Sequence, residues 1–549
     1  MRRVALGAML ALGLALASPA SAARFAVGVD EGASVDAVAR AIERSGLTPE
    51  RHLAKLRALV VDAPTARGLR ALRGVAYVER LDRPRRVAFT PNDPLAPRQW
   101  HLSQVRAFDF WPELPTLAGV RVAVIDSGID GSHPDFQGRI AASRTFVGGS
   151  ALTDQQGHGT FVAGLIAAQT NNELGVAGIA FPAQLVIAKV VRSSRLVSLE
   201  AEAAAIRWAV DEGARVINLS LGGLRDPRDI ERDTYSSLEA AAIRYAYTRG
   251  AVLVAAVGNA DQAPESPWPW ASYPAALPHV VGVSALDREG SVSGFSNRDP
   301  IYNDIAAPGQ EIVSTFPRSL TSARPNCNEQ GYSICGPDDY RNAEGTSFAA
   351  PQVAAAAALL LSVRPFLQPD QVAHLLERSA VDVNATTGCR RCPFQRDSYT
   401  GWGRLDVAKA LGGLDGPLPP ADQFESNDDA GALATPMRRT RADFRATVDF
   451  WDDPVDVYKT YLARNQRLVV RLDGPSGSDT NLILWKPGTR QVEGFSLSSL
   501  RLRAAQSARP GSRERLNYRA PTPGWYYVQV KLGTPGAGSY RLAFSKTKR

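Results

Sequence analysis

The sequence predicts an α/β protein: a large parallel-sheet, three-layer αβα unit, preceded by a small α+β unit and followed by an all-β, jelly-roll-like sandwich. Three observations carry this. Apolar runs rich in Val, Ile, Leu and Ala alternate with helical spacing through the middle of the chain, as in a parallel sheet covered on both faces. Ahead of them about 70 residues mix three strand-like runs with two helical stretches. Behind them, after the Gly/Pro-rich LGGLDGPLPPADQFE, the pattern becomes short alternating segments separated by turn residues. The length of 549 residues asks for roughly two to four such units. With 44% hydrophobic and 21% charged residues the composition is that of an ordered globular chain.

Taken in order, MRRVALGAMLALGLALASPASAARF has a basic start, an apolar stretch too short to span a bilayer, and small residues at Ala20-Ser21-Ala22. A cleaved secretory signal over residues 1–22 is expected, and hence an exported protein with no membrane span. In the α+β unit, residues 23–90, FAVGVD and ALVVDA read as strands, VDAVARAIERSG and TARGLRALRG as helices, and VAYVERL as a strand. The polar, Pro-rich DRPRRVAFTPNDPLAPRQ that follows is expected to be exposed and open to nicking. Residues 91–412 hold the strands VRVAVID, QLVIAKVV, ARVINLSL and AVLVAAVGN. Between them lie helices over 161–169, LEAEAAAIRWAVDEG and SLEAAAIRYAYTRG. Residues 413–421 are a linker, and residues 422–549 the sandwich. The net charge of +8 is spread without a dense Lys/Arg run, so nucleic acid is not an expected partner. Cys327, Cys335, Cys389 and Cys392 make an even number, which suits disulfides in an exported chain. Three pairings are open, with the local pairs Cys327–Cys335 and Cys389–Cys392 preferred. A four-cysteine zinc site fits less well, since one pair alone has C-x2-C spacing.

In open parallel sheets, ligands bind at the carboxyl ends of the strands. Three polar residues stand at such ends or at helix starts: Asp126 in VIDSGID, His158 in GHGTFVAG and Ser347 in GTSFAAP. Each alone has a plain structural reading as a turn aspartate, a loop histidine or a helix cap. Together they supply an acid, a base and a hydroxyl, each in a glycine-flanked loop.

On these residues the chain resembles the subtilisin-like serine proteases. VIDSGID (124–130), GHGTFVAG (157–164), INLSLGG (217–223), VGNA (257–260), AAPGQEIVST (306–315) and GTSFAAP (345–351) occur in the family's order. The resemblance implies a serine endopeptidase. Ser347 would be its nucleophile, His158 its general base and Asp126 the group that orients the imidazole. Asn259 and the Ser347 N–H would bind the oxyanion. Ser220, Leu221 and Gly222 match the edge that takes substrate as an added strand. Ala255, Ala256 and Gly258 match a pocket wall whose small residues suggest room for a large apolar side chain. The facing wall, 192–195, contains Arg192 and Arg195 and is unusually basic. Asp93, Asp135, Asn172 and the carbonyls of Thr170, Leu174 and Val176 resemble a calcium site of hard oxygens. Residues 23–90 resemble an inhibitor-type propeptide, and the C-terminal segments the bacterial pre-peptidase C-terminal domain. The family thus implies a self-processed, monomeric zymogen whose partners are protein or peptide substrates and its own propeptide. Phe161 and Phe348 stand where the family usually has histidine and methionine. An α/β-hydrolase is excluded, because Ala349 breaks G-x-S-x-G and the serine comes last along the chain. A non-catalytic adhesion protein on the same scaffold is disfavoured, because no reacting residue is missing.

Overall fold

The computed structural model describes residues 23–81, 89–191, 196–229, 231–261, 263–321, 332–334, 339–383, 396–416, 418, 423–424, 427–449, 455–490, 492, 501–533 and 537–547. The signal segment 1–22, the Arg192–Arg195 wall, all four cysteines and part of the linker lie outside the described residues.

The chain divides into two compact units, 1–87 and 88–549. In the first, Ala23–Val29 pairs antiparallel with Ala58–Ala63 on one side and Val75–Arg80 on the other, and Pro49–Leu53 extends the sheet. Pro49–Leu53 was not expected, since PERHL has no apolar alternation. Val38, Ala39 and Ile42 of the helix Val35–Arg44 face the sheet's buried Val27, Leu59 and Val61. Ser34 caps that helix by accepting from the Ala37 N–H.

In the second unit the sheet can be justified residue by residue. Along Arg121–Asp126, Val122 and Val124 enter one hydrophobic core while Ala123 and Ile125 enter another. Gln184–Lys189 divides in the same way, with Leu185 and Ile187 opposed to Val186 and Ala188. Strands buried on both faces need no polar side, which is why the runs are continuous. Seven strands pair in parallel in the order Ile305–Pro308, Val280–Leu286, Val252–Ala256, Val216–Leu219, Arg121–Asp126, Gln184–Lys189, Ile140–Thr145. Helices His158–Ala167 and Thr346–Val363 fill the first core, and Leu199–Asp211 and Ser237–Tyr247 close the second. This is the expected three-layer αβα arrangement. Thr346–Val363 is long and apolar enough to cross a bilayer, but 89% of it is buried, so it is a core helix.

Two boundaries correct the sequence reading. The helix expected from Phe161 begins at His158, because Gly157 serves as its N-cap rather than as a breaker. Ser347 is not a cap: Gly345 is, and Ser347 is the second residue of the helix.

The C-terminal strands form a five-stranded and a four-stranded sheet around a shared core that includes Leu468, Val470, Tyr526 and Leu542. On the strand Val455–Leu462 of the five-stranded sheet, Asp456 is fully buried, accepting from Tyr540 Oη at 2.6 Å and Asn427 Nδ2 at 2.5 Å. Tyr540 in turn lies 2.6 Å from Tyr458 Oη.

Candidate active site

Asp126 ends the central strand Arg121–Asp126 and is 2% exposed. His158 opens its helix beside it, with Nδ1 at 2.9 Å from Asp126 Oδ1 and 2.8 Å from Oδ2. Holding Nδ1 against a carboxylate makes it the protonated nitrogen and leaves Nε2 as the basic one. Asp126 Oδ1 also accepts from the Ser127 N–H at 2.6 Å. The helix can come this close because of Gly159, where a Cβ would stand 2.2 Å from Gly128 O and 3.1 Å from Asp126 Cβ.

Asp154, which the sequence reading passed over, fixes the helix start. Its Oδ1 accepts from the Gln156 and Gly157 N–H groups and from Ser127 Oγ, each at 2.9 Å. Its Oδ2 accepts from Thr160 N–H at 2.9 Å and Thr160 Oγ1 at 2.7 Å. A carboxylate taking N–H groups at a helix N-terminus is favoured by hydrogen bonding and by the dipole. Its signal in the sequence is an aspartate four residues before His158.

Ser347 is partly exposed in the first turn of the opposite helix, where backbone N–H groups lack intrahelical acceptors. Its Oγ lies 3.3 Å from Ser220 O, and its carbonyl accepts from Ser220 Oγ at 2.8 Å. That carbonyl is free for Ser220 because Pro351, four residues on, has no N–H to give it. Asn218 Nδ2 donates to Ser220 Oγ at 2.9 Å and completes the chain. Asn259 Oδ1 accepts from Thr346 N–H at 2.8 Å and Thr346 Oγ1 at 2.7 Å. Those bonds fix the amide's orientation and leave its Nδ2 as the remaining donor.

Asp126, His158, Ser220, Leu221, Gly222, Asn259 and Ser347 all line one cleft of about 710 Å³. Phe348 also lines it, its ring 5.4 Å from His158 and 4.5 Å from Phe161. The two departures from the family pattern are therefore neighbours that pack on each other.

A smaller cavity of about 160 Å³ adjoins Ser347 and Ser220–Gly222 and includes Ala256 and Gly258. Ala255 does not line it. Strand alternation turns Ala255 into the opposite core, so that part of the expected wall is absent. Nor is the cavity simply apolar, as small residues had suggested. Ser272 and Asn297 line it, 3.3 Å apart, and a Cβ on Gly258 would stand 2.5 Å from Ser272 Oγ.

The residues expected to hold calcium fall into two groups. Asp93 and Asp135 are buried on either side of the loop that contains Asn172. Asp93 Oδ2 accepts from Asn171 N–H at 2.8 Å, and Asp135 accepts from Val176 N–H and Asn172 Nδ2, both at 3.3 Å. Burial raises the Asp135 pKa. Thr170, Leu174 and Val176 belong to the same loop; Leu174 is exposed and Val176 buried. Two buried carboxylates and a side-chain amide are hard oxygen donors, and a cation would offset their burial. Asn172 must turn its amide to offer oxygen, since its Oδ1 now accepts from the Leu174 N–H at 3.0 Å. Among the described residues no cluster of three or more His, Cys, Asp or Glu suits a metal, so backbone carbonyls would have to complete the set.

Known proteins share these segments. Residues 118–403 match the Subtilase family (Peptidase_S8), and residues 454–532 match the bacterial pre-peptidase C-terminal domain. Thermitase of Thermoactinomyces vulgaris is 34% identical over 277 residues, 50% of this chain and 86% of its own. Subtilisin Savinase of Lederbergia lenta is 35% identical over 288 residues, 52% of this chain and 93% of its own. Fervidolysin of Fervidobacterium pennivorans is 30% identical over 415 residues, 69% of this chain, which spans 54% of that protein.

Proposed function

Because the chain belongs to the subtilase family of serine-type endopeptidases, we propose that it is a secreted enzyme that cleaves peptide bonds through Asp126, His158 and Ser347. The observation that carries this reading is the His158 Nδ1 contact with both Asp126 oxygens, at 2.8 and 2.9 Å, in the cleft that also holds Ser347. Substrate lies along Ser220–Leu221–Gly222. Ser347 Oγ turns from Ser220 O to attack the carbonyl carbon while His158 Nε2 takes its proton. The tetrahedral oxyanion is held by Asn259 Nδ2 and the Ser347 N–H. His158 then returns the proton to the leaving amine, an acyl-enzyme forms, and water releases it by the same route. Asp126 holds the imidazole in place and stabilises the imidazolium.

In this reading residues 23–90 are an inhibitory propeptide, 91–412 the catalytic domain and 422–549 a C-terminal domain joined by linker 413–421. Asp93, Asp135, Asn172 and the carbonyls of Thr170, Leu174 and Val176 would hold one calcium ion, which would supply the positive charge that the buried carboxylates lack. The enzyme works as a monomer. The test compares full-length protein with Ser347→Ala. The native chain is expected to shorten at its N-terminus and hydrolyse casein, and the alanine form to do neither. An alanine form that retains either activity would sink the mechanism.

A further inference from the structure

The proposed mechanism leaves one pair of buried acids unused. Glu202 lies in the first turn of Leu199–Asp211, and Glu239 in the first turn of Ser237–Tyr247. Each is 3% exposed, and both line the cleft that holds Asp126, His158 and Ser347. A capping role would explain them only if their carboxylates bonded to helix N–H groups. Ser236 and Glu239 have the spacing of a capping box, in which the glutamate reaches back to the serine N–H. Only the serine half is made: Glu239 N–H donates to Ser236 Oγ at 3.2 Å. Glu202 Oε1 and Glu239 Oε2 have no hydrogen-bond partner among the described residues.

Among the described residues no cation pairs with either carboxyl, and two carboxyls sharing a site in that way resist ionisation. Burial first, then Glu239, push the Glu202 pKa well above its ordinary value, and burial lifts Glu239 to about 7. Leu199, Leu221 and Tyr273 line the same cleft and offer apolar surface to an aliphatic stem. An ammonium or guanidinium on such a stem would satisfy both unpartnered oxygens, and the proton shared by the pair would leave to solvent.

We infer that Glu202 and Glu239 form a specificity subsite for a lysine or arginine side chain of the peptide substrate. This rests on the endopeptidase reading above. The subsite is separate from the small cavity beside Ser347, whose lining contains neither glutamate, although Ser220–Gly223 borders both spaces. The cationic residue is therefore not the one whose side chain fills that cavity.

Quenched-fluorescent peptides of one sequence, with lysine replacing norleucine at each position in turn, test this on the processed enzyme. At one position, lysine is expected to raise kcat/KM about 10- to 100-fold, the range for a desolvated charge-assisted contact. In E202Q/E239Q that ratio is expected to fall to about one. A fluorophosphonate that labels Ser347 counts competent sites, so a partly folded variant can still be compared. E202Q and E239Q singly should give intermediate ratios. A native enzyme indifferent to lysine at every position would overturn the inference, as would a double variant that keeps the preference. A native chain that neither takes the label nor cleaves any peptide defeats the endopeptidase reading itself, and this subsite with it.

Discussion

At the scale of single residues, Asn259 is held by two bonds from Thr346 to one oxygen, which commits its nitrogen to the cleft. Asn259→Ala should lower kcat about 10²- to 10³-fold with little change in KM, a magnitude that comes from subtilisin rather than from this chain. Steady-state kinetics on a peptide ester would show it, and a loss confined to KM would speak against oxyanion binding. Glu239 gives a prediction about stability. Its pKa is raised to about 7 in the folded state, above the ordinary glutamate value, so the folded state binds the proton more tightly than the unfolded chain. Its contribution is fully present below the ordinary value and is lost as pH rises through about 7. Chemical denaturation at about pH 5 and pH 8 should show a smaller fall in stability for Glu239→Gln than for the native chain. Equal slopes would mean that the site is wetter than its burial implies.

At the scale of elements, the helix Thr346–Val363 carries an internal conflict that Ser220 resolves. Pro351 cannot bond to the Ser347 carbonyl, and Ser220 Oγ does so at 2.8 Å. Ser220→Ala should cost about 1–3 kcal/mol by leaving that carbonyl without a donor. Pro351→Ala would restore an N–H at the right place, so S220A/P351A should be less destabilised than S220A alone. Additive effects in the double-mutant cycle would show that the two donors do not substitute for each other. Here the limits of the sequence also become physical. GTSFAAP displayed the serine, the glycine before it and the proline after it. It did not display that the proline frees the serine's carbonyl, because the partner, Ser220, is 127 positions away. Periodicity gave the both-face strands readily, since Val122 and Ala123 need only be apolar. It missed Ile140–Thr145, Val280–Leu286 and Ile305–Pro308, and it placed the start of the His158 helix three residues late, where glycines serve packing and capping rather than breaking. The Glu202–Glu239 pair was hidden for a similar reason: each lies in an ordinary helix first turn, and only the packing of two helices joins them.

At the scale of the whole molecule, the segment that follows the N-terminal unit is tied to a loop about 80 positions along the chain. Asn92 N–H donates to Asn171 Oδ1 at 3.2 Å, Glu173 N–H donates to Asn92 Oδ1 at 3.1 Å, and Leu95 N–H donates to Gly175 O at 2.8 Å. Between them stand the buried carboxylates of Asp93 and Asp135. Asp93 accepts from the Asn171 and Asn172 N–H groups, and Asp135 from the Val176 N–H, the Asn172 amide and the Tyr340 hydroxyl, while the loop holds Asn171 and Glu173 at φ of 64° and 63°. A bound calcium ion would pin both segments at once, and by mass action it would stabilise the folded chain in proportion to the logarithm of its concentration. A chelator should therefore shorten the half-life of activity at raised temperature, and added calcium should restore it. Asp135→Asn removes one charged ligand and should bring the calcium-loaded half-life close to that of the chelated native enzyme. If the native half-life does not respond to calcium while Asp135→Asn still shortens it, the two carboxylates serve as loop acceptors alone and the calcium site is wrong.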